Sequence, residues 1–216
     1  MSHAMSGEMT KPQLAPGMGH LEASPRLFAN PLLDKLSRVH HLTPLLVYLP
    51  IIAAMLVFAW TRLAFIEIPA GVVLGYVVWT IAEYWGHRVL FHWQPPGKLG
   101  ARIHFLIHGV HHTHPSDPLR LVMPPLLSAP LMLGAFFILR LACGPDFVWP
   151  VAAGFIAGYV GYDMVHFHIH NRIPRRAWER ALRRNHMRHH FRDPERGFGV
   201  SAPWWDHVFG TRWDRP

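Results

Sequence analysis

HGVHH at residues 108–112 and HMRHH at residues 186–190 are the stretches that decide how this chain folds. On an α-helix, the first histidine of an HxxHH motif shares a face with the histidines three and four residues later. His166 and His170, in the stretch HFHIH, are four residues apart and are predicted to share a helix face as well. Each stretch therefore predicts a helix that directs several imidazoles to one side.

A fourth pair, His87 and His92 in HRVLFH, has a different spacing. Five residues swing the second side chain roughly 140° around a regular α-helix. For both imidazoles to serve one site, the helix must change its geometry between them. We therefore expect the helix to end or loosen near His87.

These clusters contain ten of the eighteen histidines of the chain. Neutral imidazole is the commonest metal ligand and suits iron, zinc and copper, and ten ring nitrogens satisfy two first-row ions at about five each. The chain has one cysteine, Cys143, and no HExxH motif, which excludes a thiolate zinc finger and a zincin helix. The predicted ligands of this dimetal site are His87, His92, His108, His111, His112, His166, His170, His186, His189 and His190.

The composition is that of a membrane protein, since 50% of the 216 residues are hydrophobic and 16% are charged. Four apolar stretches approach the about 20 residues that cross a bilayer. They are Thr43 to Trp60, Ile68 to Trp85, Leu121 to Leu141 and Phe147 to Val165. Pro124, Pro125 and Pro130 predict that the third is kinked or begins late. The expected fold is all-α, an integral membrane bundle of about four transmembrane helices with a cytoplasmic, histidine-rich dimetal cap.

Basic residues flank the spans on one side, before the first, between the second and third, and after the fourth. Both termini are therefore expected to be cytoplasmic, with the bacterial inner membrane as the expected location and the endoplasmic reticulum as the alternative. The net charge of +8 borders apolar spans, which favours contact with anionic head groups and excludes a nucleic-acid partner.

Residues 1–40 are predicted to be a partly disordered cytoplasmic tail, with a short interfacial helix around Leu33. Residues 41–216 are predicted to be the membrane-embedded domain.

On this topology all four histidine clusters lie at the cytoplasmic side. Metal-bound histidines usually donate their second ring nitrogen to a carboxylate or carbonyl. Glu83 and Asp163 are candidates for that role, because ionisable residues inside spans are costly and usually functional. Tyr162 is predicted to orient the lipid head group together with Asp163, and Asp117 is a further loop candidate. His104 is left open as an eleventh ligand.

Four segments carry a family resemblance. They are EYWGHRVLFH (83–92), HFLIHGVHHTHPSDPLRLVMPP (104–125), GYDMVHFHIH (161–170) and RNHMRHHFRDPERGFGVSAPWWDHVFGT (184–211). In order and spacing they resemble the fatty acid hydroxylase branch of the fatty acid hydroxylase/sterol desaturase superfamily, and fatty acid 2-hydroxylases in particular. The family ligands map onto the same ten histidines.

The resemblance implies a membrane-bound, diiron-type monooxygenase that uses O2 to hydroxylate a lipid acyl chain at the 2-position of a fatty acid or sphingolipid N-acyl chain. Iron is expected in the active enzyme, and zinc can occupy such a site in isolated protein. Eukaryotic members commonly carry a fused haem domain, whereas about 40 residues without an HPGG-type motif precede the first span here. A separate haem or ferredoxin type electron-transfer protein is therefore the expected donor.

Two alternatives stay open at this point. The first is a dimetal hydroxylase or desaturase acting on another lipid, such as a sterol, a carotenoid or an ornithine lipid. The second is a haem-binding membrane protein, which is less favoured because haem needs paired histidines facing each other deep in the bilayer.

Overall fold

The structure is a computed structural model that describes residues 23–213. Over this range the chain is helical, with no β-strand, so the predicted all-α class is confirmed. The helices are α1 (Pro31–Leu36), α2 (Thr43–Trp60), α3 (Glu67–Trp85), α4 (Gly97–His104), α5 (Val110–Thr113), α6 (Pro125–Asn171), α7 (Ala177–Phe191) and α8 (Trp204–Val208). Two π-helical segments, Gly86–Phe91 and Phe105–Gly109, lead out of α3 and α4.

Three helical stretches among the described residues are long and apolar enough to cross a membrane, by length and composition. They are Thr43–Trp60, Glu67–Phe91 and Pro125–Asn171. Outward-facing apolar side chains such as Val57, Val73 and Ile138 are exposed, as expected for a surface that lipid tails cover. Four crossings and a cytoplasmic cap remain predictions.

Helix α6 has 47 residues, which would extend about 70 Å if straight, more than twice the ~30 Å of a bilayer core. It is interrupted at Gly144, where φ is 79° and ψ is 178°, a conformation that glycine adopts without a Cβ clash. The rings of Phe136 and Trp149, on either side of this break, lie 5.3 Å apart. Residues 125–143 and 145–171 therefore form two helical halves that fold back on each other.

The third and fourth predicted spans correspond to these two halves. The expected late start of the third span is confirmed, because α6 begins at Pro125 and not at Leu121. Proline suits the first turn of a helix, where its missing N–H has no intrahelical partner. The second half continues beyond Val165 to Asn171, which extends the helix past His166 and His170.

Helix α3 packs closely on the second half of α6 through glycines. The stretches GVVLG (71–75) and GFIAG (154–158) face each other. A Cβ on Gly75 would lie 1.8 Å from the Val151 carbonyl oxygen, and one on Gly154 would lie 2.0 Å from the Val72 carbonyl oxygen. Small residues four apart allow such backbone contact between membrane helices. The helix that leads into His87 and the helix that carries His166 are thereby held at a fixed separation.

Replacing Gly75 with alanine is expected to destabilise the bundle by about 1–3 kcal/mol, because the new Cβ forces backbone apart. Thermal unfolding of detergent-solubilised protein measures the effect as a lower midpoint. Gly134→Ala is the matched control, since a Cβ there meets nothing within 4 Å and alanine favours a helix. Equal midpoints for the two variants would show that the glycine contact is not needed.

Residues 23–40, which the sequence analysis placed in the tail, pack on the loop before α6. The Asp34 carboxylate accepts hydrogen bonds from the Leu27 N–H at 2.7 Å and from Arg38 at 3.0 Å. Arg120, whose side chain is 4% exposed, pairs with Asp34 at 3.3 Å and donates to the Ser24 hydroxyl at 2.8 Å. The predicted short helix here is confirmed as α1. The rest of the predicted tail, residues 1–22, lies outside the described residues, as do residues 214–216.

Candidate metal centre

All ten histidines singled out in the sequence lie together. They are carried by the two π-helical segments and the residue after the first, by α5, by the last turns of α6 and by α7. They separate into two groups of five. Within each group, one nitrogen from each ring lies within 4.8 Å of all the others. Group A consists of His87, His92, His108, His112 and His189, and group B of His111, His166, His170, His186 and His190. The groups are neighbours, since the ring centroids of His112 and His190 are 4.4 Å apart.

Each HxxHH motif contributes to both groups. His108 and His112, one helical turn apart, belong to group A, whereas His111 between them belongs to group B. The second motif is the reverse, because His189 belongs to group A and the flanking His186 and His190 to group B. Both motifs direct their histidines inward, as the spacing predicted. The division between two groups follows from the way the helices pack, which spacing does not reveal.

The π-helical segment Gly86–Phe91 explains how histidines five residues apart serve one group. Helix α3 ends at Trp85, and the wider turn, with i→i+5 hydrogen bonding, carries the chain to Phe91. As a result the rings of His87 and His92 lie 5.2 Å apart between centroids. The expectation that the helix loosens near His87 is confirmed.

The facing nitrogens have a spacing that suits metal binding. In group A the Nε2 atom of His108 lies 3.2 Å from that of His87 and 3.0 Å from that of His112. In group B the Nε2 atom of His166 lies 3.1 Å from that of His111 and 3.0 Å from that of His186. Two nitrogens bound to one ion at ~2.1 Å and at right angles are about 3 Å apart. The residues present therefore fit a first-row metal ion in each group.

Two outer nitrogens are anchored on backbone carbonyls. His87 Nδ1 lies 2.8 Å from the Phe198 oxygen, and His189 Nδ1 lies 2.8 Å from the Arg196 oxygen. A carbonyl only accepts, so each Nδ1 carries the proton and each Nε2 presents a lone pair to group A. Burial lowers the pKa of His189 to about 4, and it lowers the pKa of His111 well below its usual value. Both rings are therefore neutral at physiological pH, as metal binding requires.

The loop of residues 196–203, which supplies these carbonyls, is held by two carboxylates. Asp206, 4% exposed, accepts hydrogen bonds from Phe198 N–H at 2.9 Å, Gly199 N–H at 3.0 Å and the Thr211 hydroxyl at 2.7 Å. Glu83 accepts hydrogen bonds from the backbone N–H of Ser201 at 2.7 Å and from the Ser201 hydroxyl. Glu83 thus holds the loop, and among residues 23–213 no hydrogen bond joins its carboxylate to a histidine nitrogen.

The other predicted orienting residues fall in two places. Tyr162 stacks on His166, with ring centroids 5.5 Å apart, and Asp163, 1% exposed, has a carboxylate oxygen without a hydrogen-bond partner within residues 23–213. Asp117 lies farther away, where it pairs with Arg120 at 3.3 Å and accepts from the Leu119 N–H at 3.0 Å. Tyr162 and Asp163 are thus beside the histidines, and Asp117 shapes the loop before α6.

A cavity of about 390 Å³ leads to both histidine groups. Its inner end is formed by His108 of group A and by His111 and His166 of group B. Its walls are mostly apolar, from α1 and the preceding segment, the residues around Ile107, and the start of α6. Few polar side chains other than the histidines reach it, and they are Ser37, Arg120, Tyr162 and Asp163. The shape and lining suit a long hydrocarbon chain.

The remaining histidines near the centre stay outside the two groups. His104 Nδ1 lies 3.1 Å from the Trp93 carbonyl oxygen, and His104 belongs to neither group. His168 lies on the other face of α6, with its Nε2 atom 3.7 Å from the Glu179 carboxylate. Neither joins the five nitrogens that converge in each group.

Comparison with known proteins gives a consistent result. The fatty acid hydroxylase family model matches residues 72–211. The chain belongs to the fatty acid hydroxylase family. This fatty acid hydroxylase is 35% identical over 188 residues to a dihydroceramide fatty acyl 2-hydroxylase of Arabidopsis thaliana, covering 87% of this chain and 79% of that protein.

Further relatives include the ceramide very long chain fatty acid hydroxylase of Saccharomyces cerevisiae, with 38% identity over 64% of this chain and 36% of that protein. The fatty acid 2-hydroxylase of Homo sapiens has 35% identity over 66% of this chain and 39% of that protein. Among solved structures, full-length Scs7p, in which only the hydroxylase domain is visible, is similar with a TM-score of 0.80 and 34% identity, covering 87% of this chain and 71% of that chain. The hydroxylase chain thus spans much less than half of the yeast and human relatives.

Proposed function

We propose that this fatty acid hydroxylase is a membrane-bound dimetal monooxygenase that hydroxylates a lipid acyl chain at the 2-position of a fatty acid or of a sphingolipid N-acyl chain. The observation that carries the proposal is the apolar cavity, which ends at histidines of both groups. The reaction consumes the lipid C–H bond, O2, two electrons and two protons, and it yields the C–OH bond and water. The names of the relatives support this substrate class.

The ten grouped histidines are proposed as the metal ligands, with one ion in each group. Their converging Nε2 atoms and neutral rings support this assignment. Iron is the proposed native metal, because a pair of irons supplies the O2 activation that an unactivated C–H bond requires. Zinc competes for the same nitrogens and is expected in part of the isolated protein.

The residues of the chain act by positioning and by excluding water. Leu27, Leu36 and Leu127 are among the apolar cavity residues that would pack along the hydrocarbon chain and hold its reacting end beside His108 and His111. Holding the substrate in a fixed orientation contributes much of the rate enhancement of such reactions, because the reacting atoms are already close together when the reaction begins. A dry cavity also keeps water away from the reactive centre.

Tyr162 and Asp163 are proposed to orient the polar end of the lipid. They are two of the few polar side chains that line a mostly apolar cavity, and Tyr162 stacks on His166. A buried carboxylate oxygen that lacks a partner is costly, and a lipid hydroxyl or amide N–H would satisfy the one on Asp163. Glu83 and Asp117 act at a distance, through the loops they hold.

The proposed setting is a membrane with both termini on the cytoplasmic side, and the bacterial inner membrane is the first expectation. Apolar helices and exposed apolar side chains support an integral membrane location. Electrons are proposed to come from a separate haem or ferredoxin type protein. A haem in the protein itself is disfavoured by the described residues, because ring nitrogens 3.0–3.2 Å apart leave no flat slot for a porphyrin between them.

The proposal is tested by expressing the chain in a host without 2-hydroxylated lipids and feeding ceramide under isotopically labelled O2. One labelled oxygen is expected at the 2-position of the acyl chain, measured by mass spectrometry of extracted lipids. His111→Ala, expressed at the same level, is the matched inactive control. If no lipid gains oxygen from protein that holds both metals and receives electrons, the proposed function is wrong.

A further inference from the structure

The clusters approach solvent at one edge, away from the substrate cavity. His92, His112 and His190 are partly exposed, whereas the other seven grouped histidines are buried. This exposed edge belongs to both groups, because His92 and His112 are in group A and His190 is in group B. The cavity instead uses His108, His111 and His166. The two approaches to the centre therefore share no histidine.

The outer surface of α7 beside this edge carries a row of arginines. Arg180, Arg184 and Arg188 of α7 and Arg192, which directly follows the helix, are spaced by four, and the three helical arginines lie on the side of α7 away from His186 and His189. No salt bridge joins any of the four to a carboxylate of residues 23–213. The one acidic residue of α7, Glu179, is buried and accepts hydrogen bonds from the Arg175 and Arg176 N–H groups.

Exposed aromatic side chains accompany the arginines. Phe191, 60% exposed, lies between Arg188 and Arg192 in sequence, and its ring centroid is 6.0 Å from that of His190. Trp93, 57% exposed, directly follows His92. Aromatic residues and arginine are the types that protein interfaces favour, whereas an isolated soluble surface favours neither. The combination indicates a protein partner more than a lipid head group.

We propose that the arginine face of α7, together with Phe191 and the exposed edge, is the docking surface for an acidic one-electron carrier protein. The inference rests on the proposed function, which requires two electrons for each turnover. A carrier docked there is separated from the histidine groups by one helix, about 10–12 Å across with its side chains. Charge complementarity would steer its approach and fix its orientation. The lipid would enter from the cavity side, so neither partner blocks the other.

The test reverses the charge of two arginines that contact no ligand histidine, in the variant Arg184→Glu/Arg192→Glu. Two acidic carriers serve as probes, a soluble cytochrome b5 domain and a [2Fe–2S] ferredoxin, each with its reductase. At low ionic strength the variant is expected to raise the carrier KM at least tenfold for the preferred probe. Product formed in a single turnover, when protein reduced without a carrier by stoichiometric dithionite under anaerobic conditions is then mixed with O2, is expected to stay unchanged. Arg140→Glu, at an exposed arginine that forms no salt bridge among the described residues, is the control for reversing a surface charge elsewhere.

Carrier binding is also measured directly by calorimetry, so that a failure of docking is distinct from a failure of hydroxylation. An unchanged carrier KM and affinity in the α7 variant would overturn the docking surface. An equal loss of carrier-driven and dithionite-driven turnover would also overturn it, since the charges would then act on the site itself. A loss that appears only in vesicles with anionic lipid, whatever the electron source, would assign the arginines to the membrane. Absence of hydroxylation in the unaltered protein with every donor would contradict the proposed function, and binding would still test docking.

Discussion

Replacing His189 with alanine is expected to abolish hydroxylation and to remove at least one of the two proposed metal ions, while the protein still inserts into the membrane. His189 is fully buried in group A, and the Arg196 carbonyl fixes its ring so that Nε2 faces His92 Nε2 at 3.1 Å. Metal analysis of anaerobically purified protein and lipid hydroxylation in the same preparation measure the two effects.

His168→Ala is the control for this change. His168 is in the same part of the chain, but its side chain is 38% exposed and its nearest charged partner is Glu179 at 3.7 Å. A contact of 3.7 Å is longer than a hydrogen bond and His168 belongs to neither group, so activity and metal content are expected to match those of the unaltered protein. A His189→Ala protein that keeps its full complement of metal would show that His189 is not a ligand.

Replacing Asp206 with alanine is expected to lower metal affinity or activity about 10–100-fold, although Asp206 touches neither histidine group. The carboxylate positions the Phe198 and Gly199 peptide units, and the Phe198 carbonyl in turn holds His87. Without the carboxylate, buried N–H groups lose their acceptor, at about 1–3 kcal/mol each. The rate of metal loss to a chelator and the thermal midpoint report the two consequences separately.

Asp206→Asn is informative beside the alanine variant, because an amide oxygen still accepts one or two of the three hydrogen bonds. It is expected to restore part of the metal retention, which a general loss of folding would not produce. Asp146→Ala, at an exposed residue paired only with Arg62 among the described residues, is the control. If both Asp206 variants retained metal as tightly as this control, the loop would not position His87.

The sequence predicts which ten histidines the structure brings together, because side chains that share a helix face repeat at helical spacing. The loosening of the helix near His87 was foreseen for the same reason, since five residues between His87 and His92 do not fit a regular α-helix, whereas its π-helical form was not predicted. The assignment of histidines to two groups was not predictable. It depends on how α5 and α7 face each other, and His111 and His112 differ by one residue while serving different groups.

The carboxylates show where sequence distance misleads. Glu83 is one turn before His87 and was expected to contact a histidine, but its partner is Ser201, 118 residues away. Asp206 holds the loop of residues 196–203 through the Phe198 and Gly199 N–H groups, whose positions no spacing rule encodes.

Each HxxHH motif supplies histidines to both groups. The binding of a metal ion in one group is therefore linked to the binding of an ion in the other. An ion in group A would order His108, His112 and His189, and with them the two backbone segments that also carry His111, His186 and His190. The second ion then meets ligands whose conformational entropy has already been lost, so it binds more tightly than the first. Metal loading of this protein is therefore expected to be cooperative, with empty and fully loaded molecules in solution and few that hold a single ion.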